Sequence, residues 1–258
     1  MRLMKRILSA AAVLALSASL LVGCSSGTAS SVPVSASSAA ESTVSSVEET
    51  APSAVDENEA AAAQLLNDLT GSYQELWPVI LADEYKQTWL DDCTALVGED
   101  NAEAAFEKLS SMVTGDVYGE DAVKAYANGG GAYFCGFTNS LAILTFDGET
   151  STISGTDKDG NVLFSHTYHY IGMEPVRGLY EFQSDDADSG EFTYFFLAPD
   201  TSAETYHIEF RYGSDAEALS QYDTGEYAYW LASGISTDCD QTMIDNCIEL
   251  FCTENLAG

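Results

Sequence analysis

Basic residues are scarce in this sequence. Its 258 residues include 9 Lys plus Arg against 41 Asp plus Glu, which gives a formal net charge of -32 and a pI near 4.1. A nucleic-acid-binding protein needs clustered Lys and Arg to neutralise phosphates, so the composition excludes that class. The same acidic field attracts cations.

Sequence motifs for catalysis are missing as well. The chain has 3 histidines, and it contains no Gly-x-Ser-x-Gly, no Cys-x-x-Cys and no nucleotide-type glycine-rich loop. The turn at 157–160 (Asp-Lys-Asp-Gly) has part of a calcium-loop pattern but lacks the bidentate Glu and flanking helices of an EF-hand, so it predicts a hairpin. The many carboxylates are expected to form a solvated surface. We expect no enzyme activity.

The composition nevertheless predicts a folded domain. Hydrophobic residues make up 46% of the chain and aromatic residues 11%, including 14 Tyr and 11 Phe. A disordered acidic tail lacks such side chains. We therefore expect a packed core.

The N-terminal residues have the pattern of an export signal. Residues 1–23 combine a cationic start with an apolar run, and the ending Leu-Val-Gly-Cys24 resembles the lipobox of bacterial lipoproteins, in which the cysteine is lipidated after cleavage. An uncleaved single-span anchor is the alternative, although the run is short for a bilayer span. Either way, we expect a lipid-anchored or membrane-tethered protein on the extracytoplasmic face of the cell membrane.

Three segments follow from these patterns. Residues 1–23 are the predicted signal peptide, and 24–56 comprise the lipidated Cys24 and a Ser/Ala-rich tether without Lys, Arg or aromatic side chains. Residues 57–258 form the predicted globular domain. Its cysteines, Cys93, Cys135, Cys239, Cys247 and Cys252, are odd in number; we expect core roles, and their pairing is open.

Hydrophobic periodicity divides the domain into a helical part and a strand-rich part. Spacings of three and four residues predict helices over 57–66, 73–81, 83–97 and 101–112. After the Asn-Gly-Gly-Gly run at 128–131 the period becomes two. It predicts strands over 132–138, 141–147, 162–171, 176–182, 192–197 and 205–212.

Turn signals such as Asp147-Gly148 separate these strands, and their regular spacing predicts a meander that closes into a barrel. A short helix over 214–221 and an amphipathic helix over 238–252, capped at Thr237 or Asp238, are predicted to follow. We expect the last helix to pack on the barrel.

Four segments resemble, in the same order, the ZinT (YodA-like) family. They are 68–78 (DLTGSYQELWP), 168–172 (YHYIG), 176–181 (VRGLYE) and 186–219, the last containing the Ala198-Pro199 pair and His207. The resemblance spans about 68–251, although 83–131 cannot be placed. It implies a fold that is mainly β with flanking helices, a lipocalin-like (calycin) antiparallel β-barrel. It also implies a divalent metal, most often zinc, bound by histidines near the barrel mouth.

Only part of the family's metal site carries over. The family uses a His shortly before the Ala-Pro pair and a His-x-His on the next strand. Here the corresponding positions are Phe195, Thr205 and His207, so one histidine of three is kept. A zinc site takes three or four ligands from His, Cys, Asp or Glu.

Other side chains could rebuild the site around His207. Residues 205, 207 and 209 point the same way on a strand, so Glu209 could join His207. His166 or His169 could reach across if their strand is a neighbour, and Asp200 and Glu204 lie nearby in sequence. The alternative is that these histidines are structural, with one of His166 and His169 facing into the barrel and the other out, and that Arg177 is a structural ion-pair partner.

The resemblance implies an extracytoplasmic, lipid-anchored protein that binds zinc and assists metal uptake or homeostasis, with a metal ABC transporter as a candidate partner. Two alternatives remain open. The same fold could have lost the metal and bind a small apolar ligand inside the barrel, or the protein could be a structural surface lipoprotein. An enclosed apolar cavity would favour the first of these alternatives, and a filled barrel the second.

Overall fold

The computed structural model describes residues 54–199 and 207–257. The predicted signal peptide, Cys24 and the tether as far as residue 53 lie outside these ranges. Within them, no helix is both long and apolar enough to cross a bilayer.

Eight antiparallel strands form a closed barrel in which every strand pairs with its neighbours in the chain. The strands are β1 (Gly71–Glu75), β2 (Ile143–Asp147), β3 (Thr152–Thr156), β4 (Val162–Met173), β5 (Tyr180–Ser184), β6 (Tyr194–Leu197), β7 (His207–Gly213) and β8 (Ala232–Ser236). Pairing of β1 with β8 closes the ring, with Tyr73 opposite Ser236. The predicted meander barrel, mainly β with flanking helices, is confirmed.

Within the described ranges, seven helices flank the barrel. They are α1 (Ala54–Asp68), α2 (Leu76–Ile80), α3 (Lys86–Val97), α4 (Glu99–Val113), α5 (Glu120–Ala127), α6 (Ala216–Leu219) and α7 (Gln241–Leu256), with two short 3-10 turns at Asp83–Tyr85 and Gly190–Phe192. Leu65 and Leu66 of α1, together with Leu69 just after the helix, are buried in the barrel core. Helices α3, α4 and α7 pack against one another.

The barrel interior is filled by aromatic rings. Alternation along each strand sends every second side chain inward. Buried rings of this kind, each at most 4% exposed, include Tyr73, Phe146, Phe164, Tyr168, Phe182, Phe195, Phe210 and Tyr212. Several of the rings contact one another, as in the Phe195–Tyr212 stack with centroids 5.3 Å apart. The interior is therefore a packed core, as in other small barrels.

A second apolar cluster lies outside the barrel wall. Leu76, Trp77 and Ile80 of α2 join buried residues of α3, α4 and α7 over Ile235 of β8. All five residues of β8 are buried, because the interior covers one face of the strand and these helices cover the other. The predicted packing of the last helix on the barrel is confirmed by this cluster.

One predicted helix is wrong in part, and one predicted strand is wrong. Residues 73–75, predicted to begin the helix over 73–81, belong to β1 instead, since this strand pairs with both β2 and β8. Residues 132–138 form no strand; Phe134 makes only isolated bridges to Thr114 and Trp230.

Further differences from the sequence prediction are three elements that were missed and a helix cap that was misplaced. Strands β3 and β8 were not predicted, and helix α5 was also missed. The N-cap of α7 is Asp240, whose side chain accepts a hydrogen bond from the Met243 amide, and is neither Thr237 nor Asp238. The helix therefore starts later than the predicted cap suggested.

Candidate functional site

His207 and Glu209 lie on the outward face of β7. Ile208, Phe210 and Tyr212 point into the barrel core, so the alternate residues face the other way. In register, His207 lies opposite Ile235, which belongs to the outer cluster. The expectation that His207 and Glu209 share a face is met, and both side chains are half-buried.

The negative charge of Glu209 acts on the thiols of two cysteines, Cys135 and Cys247. Burial raises the pKa of the Cys135 thiol to about 12, and the Glu209 carboxylate adds to this. The pKa of Cys247 is likewise raised to about 12, first by burial, then by Cys239 and Glu209. Because the thiolate is the form that binds metal, both thiols are held in the inert state that suits a core residue.

His166 lies on the inward face of β4. Its ring stacks near Phe164, with centroids 5.9 Å apart, and its side chain is 17% exposed. The Nδ1 atom is 2.7 Å from Oδ2 of Asp186, just beyond the end of β5. A carboxylate that accepts a hydrogen bond from Nδ1 favours the tautomer in which Nε2 keeps its lone pair. Metal-binding histidines are commonly oriented by a carboxylate in this way.

His169 has the same kind of partner on the opposite face. Its Nδ1 atom is 2.7 Å from Oδ1 of Asp185, and its side chain is 53% exposed. Since residues 166 and 169 are three apart on one strand, the two imidazoles point to opposite sides of the barrel wall, as the sequence predicts. They cannot hold one ion between them.

The structure does not bring the β4 histidines to His207. Strands β5 and β6 separate β4 from β7 in the barrel. Strands β5 and β7 also run in the same direction, so His207 at the start of β7 and Asp186 after the end of β5 lie at opposite ends. The condition that β4 neighbours β7 is not met.

Phe195 and His207 lie on opposite sides of the wall. Phe195 is fully buried among the inward rings, opposite Tyr212 in register, whereas His207 faces outward. Thr205, Asp200 and Glu204 fall outside the described residues. Within those that are described, no three His, Cys, Asp or Glu side chains come together as a metal-ion ligand set. His207 and Glu209 are thus two candidate ligands without a third among the described residues.

The residue that sequence reasoning missed on β7 is Arg211. It is fully buried on the outward face, and its guanidinium donates to the backbone carbonyls of Leu219, Gln221 and Tyr227. Burial lowers the pKa of Arg211 to about 10. The sequence signal would have been an arginine between two aromatic residues, Phe210 and Tyr212, on a strand.

Arg177 belongs to the same neighbourhood, but not as the ion-pair partner that was expected. Its guanidinium lies over the Tyr222 ring at 4.2 Å from the centroid, with Arg211 at 4.4 Å from the same centroid. It donates to the hydroxyl of Tyr133. The buried Glu174 carboxylate accepts from the backbone amide of Arg177. Among the described residues, Arg177 therefore makes cation–π contacts and no ion pair.

Two clefts lie outside the barrel interior. One, of about 490 Å³, is acidic and is lined by Glu120, Asp121 and Glu226 beside Tyr118. The other, of about 340 Å³, lies along α2 and is lined mainly by apolar side chains together with Glu75. Neither cleft contains a histidine or Glu209.

Comparison with known proteins gives structural similarity at low sequence identity. No protein-family model matches the chain, and no curated protein matches it. The Zn(II)-bound ZinT-like domain of Streptococcus pneumoniae AdcA is similar at 15% identity and a TM-score of 0.45, covering 71% of this chain and 89% of that domain. Zn(II)-bound AdcA from the same organism is similar at 14% identity and a TM-score of 0.43, covering 72% of this chain but 35% of AdcA.

Proposed function

We propose that this chain is an extracytoplasmic, lipid-anchored protein that binds a divalent metal, most readily zinc, and assists its uptake or homeostasis. One observation carries the proposal. His207 and Glu209 share the outward face at the start of β7. They therefore stand where an imidazole and a carboxylate can bind the same ion.

The chemistry of this pair suits zinc. Zinc takes imidazole nitrogen and carboxylate oxygen at about 2.0 to 2.2 Å, usually in sets of three or four. In sequence, Asp200 and Glu204 precede His207 by seven and three residues and supply further carboxylates. The net charge of -32 raises the local concentration of any cation at the surface.

Zinc titration of the full chain tests the proposal. We expect calorimetry to show one site with micromolar or tighter affinity in the unaltered protein. His207→Ala and Glu209→Gln should each weaken that site more than about tenfold, since even residues supporting a ligand contribute that much. The glutamine variant keeps the shape of the side chain and removes its charge.

His169→Ala is the matched control, because it also removes an outward-facing imidazole from a barrel strand. It should leave the affinity unchanged. If binding is weak, falls with salt and is the same in all variants, only the acidic surface attracts the ion. If His169→Ala or His166→Ala abolishes binding while His207→Ala does not, the metal binds on β4 and the β7 site is refuted.

Anchoring and location need separate measurements. The expected lipid at Cys24 should be lost in Cys24→Ala, which would release the protein from the membrane fraction into the medium. A metal ABC transporter as partner should be recovered with the unaltered, cross-linked protein in a zinc-dependent manner. Release without loss of zinc binding would separate the anchor from the metal site.

A second candidate function is that of a structural surface lipoprotein. The filled barrel favours it over binding of an apolar ligand, because aromatic side chains occupy the interior where such a ligand would bind. The same titration decides between this function and the metal site.

A further inference from the structure

Two cysteines from distant parts of the sequence meet in the outer cluster. Cys93 of α3 and Cys252 of α7 are fully buried, and their sulfur atoms are 3.9 Å apart. They are separated by 159 residues. Among the described residues, no other pair of cysteines forms a thiol–thiol hydrogen bond.

The meeting of these two thiols follows from helix packing. Helices α3 and α7 contact each other along much of their length. Trp89, one turn before Cys93, packs at 6.0 Å from Phe251, which precedes Cys252. These rings fix the register of the two helices and hold the thiols face to face.

We propose that Cys93 and Cys252 form a disulfide that joins α3 to α7. A disulfide has an S–S distance of about 2.05 Å, so the sulfurs must approach by about 2 Å. Rotation of two cysteine side chains on packed helices can supply most of this movement.

The reaction needs an oxidant, which we name as a disulfide of low molecular weight or the disulfide of an oxidoreductase. The thiolate of one cysteine attacks this disulfide and releases one thiol. The thiolate of the second cysteine then attacks the mixed disulfide, which forms the Cys93–Cys252 bond and releases the second thiol. Two protein thiols are oxidised, one disulfide of the oxidant is reduced to two thiols, and the protein loses two hydrogens.

Burial determines when this exchange can occur. The pKa of Cys93 and of Cys252 is raised, first by burial, so little thiolate exists in the folded state. The full burial of both side chains also blocks the approach of an oxidant. The bond should therefore form during folding, before α3 and α7 have closed over the thiols.

The bond would close a loop that contains strands β2 to β8. Cross-links across long loops restrict the unfolded chain most in the chain-entropy description. Since α7 is the last helix of the domain, the disulfide would keep it on the barrel. This inference does not depend on the proposed metal site, because neither cysteine is among the proposed ligands.

Peptide mapping tests the inference on the full chain. The chain is unfolded with reductant, refolded with a mixture of oxidised and reduced glutathione, alkylated, digested without reduction and examined by mass spectrometry. We expect a cross-linked peptide pair containing Cys93 and Cys252, about 2 Da lighter than the sum of the two reduced peptides. Adding oxidised glutathione to the folded, reduced chain should give the product much more slowly.

Variants on α7 provide the matched comparison. Cys252→Ala should abolish the cross-link, whereas Cys247→Ala, which changes another buried thiol on the same helix, should retain it. The oxidised chain should also melt roughly 10 °C above the reduced chain.

Complete alkylation of Cys93 and Cys252 after refolding would refute the inference. So would a cross-link from either of them to a different cysteine. Because the unaltered chain alone gives this result, a variant that fails to fold does not affect the test.

Discussion

Replacing Phe195 by alanine should lower the free energy of unfolding by about 4 kcal/mol. Phe195 is fully buried inside the barrel. Its ring centroid lies 5.3 Å from that of Tyr212, 5.4 Å from Tyr168, 5.8 Å from Phe164 and 6.4 Å from Phe210. Alanine would leave a cavity bordered by four rings that are held in place by the strands.

The magnitude follows from area and packing. A phenylalanine side chain buries about 150 to 200 Å² in a core, which at about 25 cal/mol per Å² amounts to roughly 4 to 5 kcal/mol. Loss of the ring contacts adds about 0.5 to 1.5 kcal/mol for each well-oriented pair. Partial collapse of the neighbouring rings into the cavity reduces the total, so about 4 kcal/mol is the expected value.

Urea unfolding measures this loss. With a slope of about 2 kcal/mol per molar, the midpoint should fall by about 2 M. Val162→Ala is the control: this valine on β4 is 70% exposed, and its replacement should change stability by less than about 0.5 kcal/mol. A loss below about 1 kcal/mol in Phe195→Ala would refute the description of the barrel as a packed core, and would restore the case for a ligand cavity.

Two further predictions concern carboxylates. Asp240→Ala should cost about 1 kcal/mol in chemical denaturation, because its carboxylate caps α7 at 3.0 Å from the Met243 amide, whereas the nearby Asp238→Ala should have a smaller effect. Equal losses in the two variants would contradict the cap. The hydrogen bond from the side-chain amide of Asn161 is the main cause that holds the pKa of Asp157 below the ordinary 3.8. The ionised Asp157 carboxylate therefore stabilises the folded state above about pH 4, and this stabilisation is lost as the pH falls through the lowered pKa. Titration of the Asp157 carboxyl by NMR should give a midpoint below 3.8 that returns toward it in Asn161→Ala; a midpoint of 3.8 or higher in the unaltered chain would refute this.

The sequence by itself was sufficient for the general architecture. The change of hydrophobic period from about 3.6 to two after residue 131 separates helices from strands, because these periods reflect backbone geometry rather than distant contacts. Turn signals such as Asp147-Gly148 predict that consecutive strands are joined by short turns, as in a meander. The same period of two correctly places His207 and Glu209 on one face of β7, and His166 and His169 on opposite faces of β4.

Elements that depend on distant partners were harder to predict. Strand β8, with the sequence Ala-Ser-Gly-Ile-Ser, shows no alternation because the barrel covers one face and the helices cover the other. Strand β1 precedes the apolar residues of α2 so closely that the two were merged into one helix. Its extended conformation is fixed by pairing with β2 and β8, whose register partners lie at least 71 and 159 residues away in the chain.

The relation between candidate ligands was decided only by tertiary structure. A strand pattern shows which residues share a face, but not which face points inward or which strands are neighbours. Closure of the barrel places Phe195 inside and His207 outside, and puts two strands between β4 and β7. Barrel closure and the burial of apolar faces set these relations through contacts between residues far apart in the chain, which local periodicity does not contain.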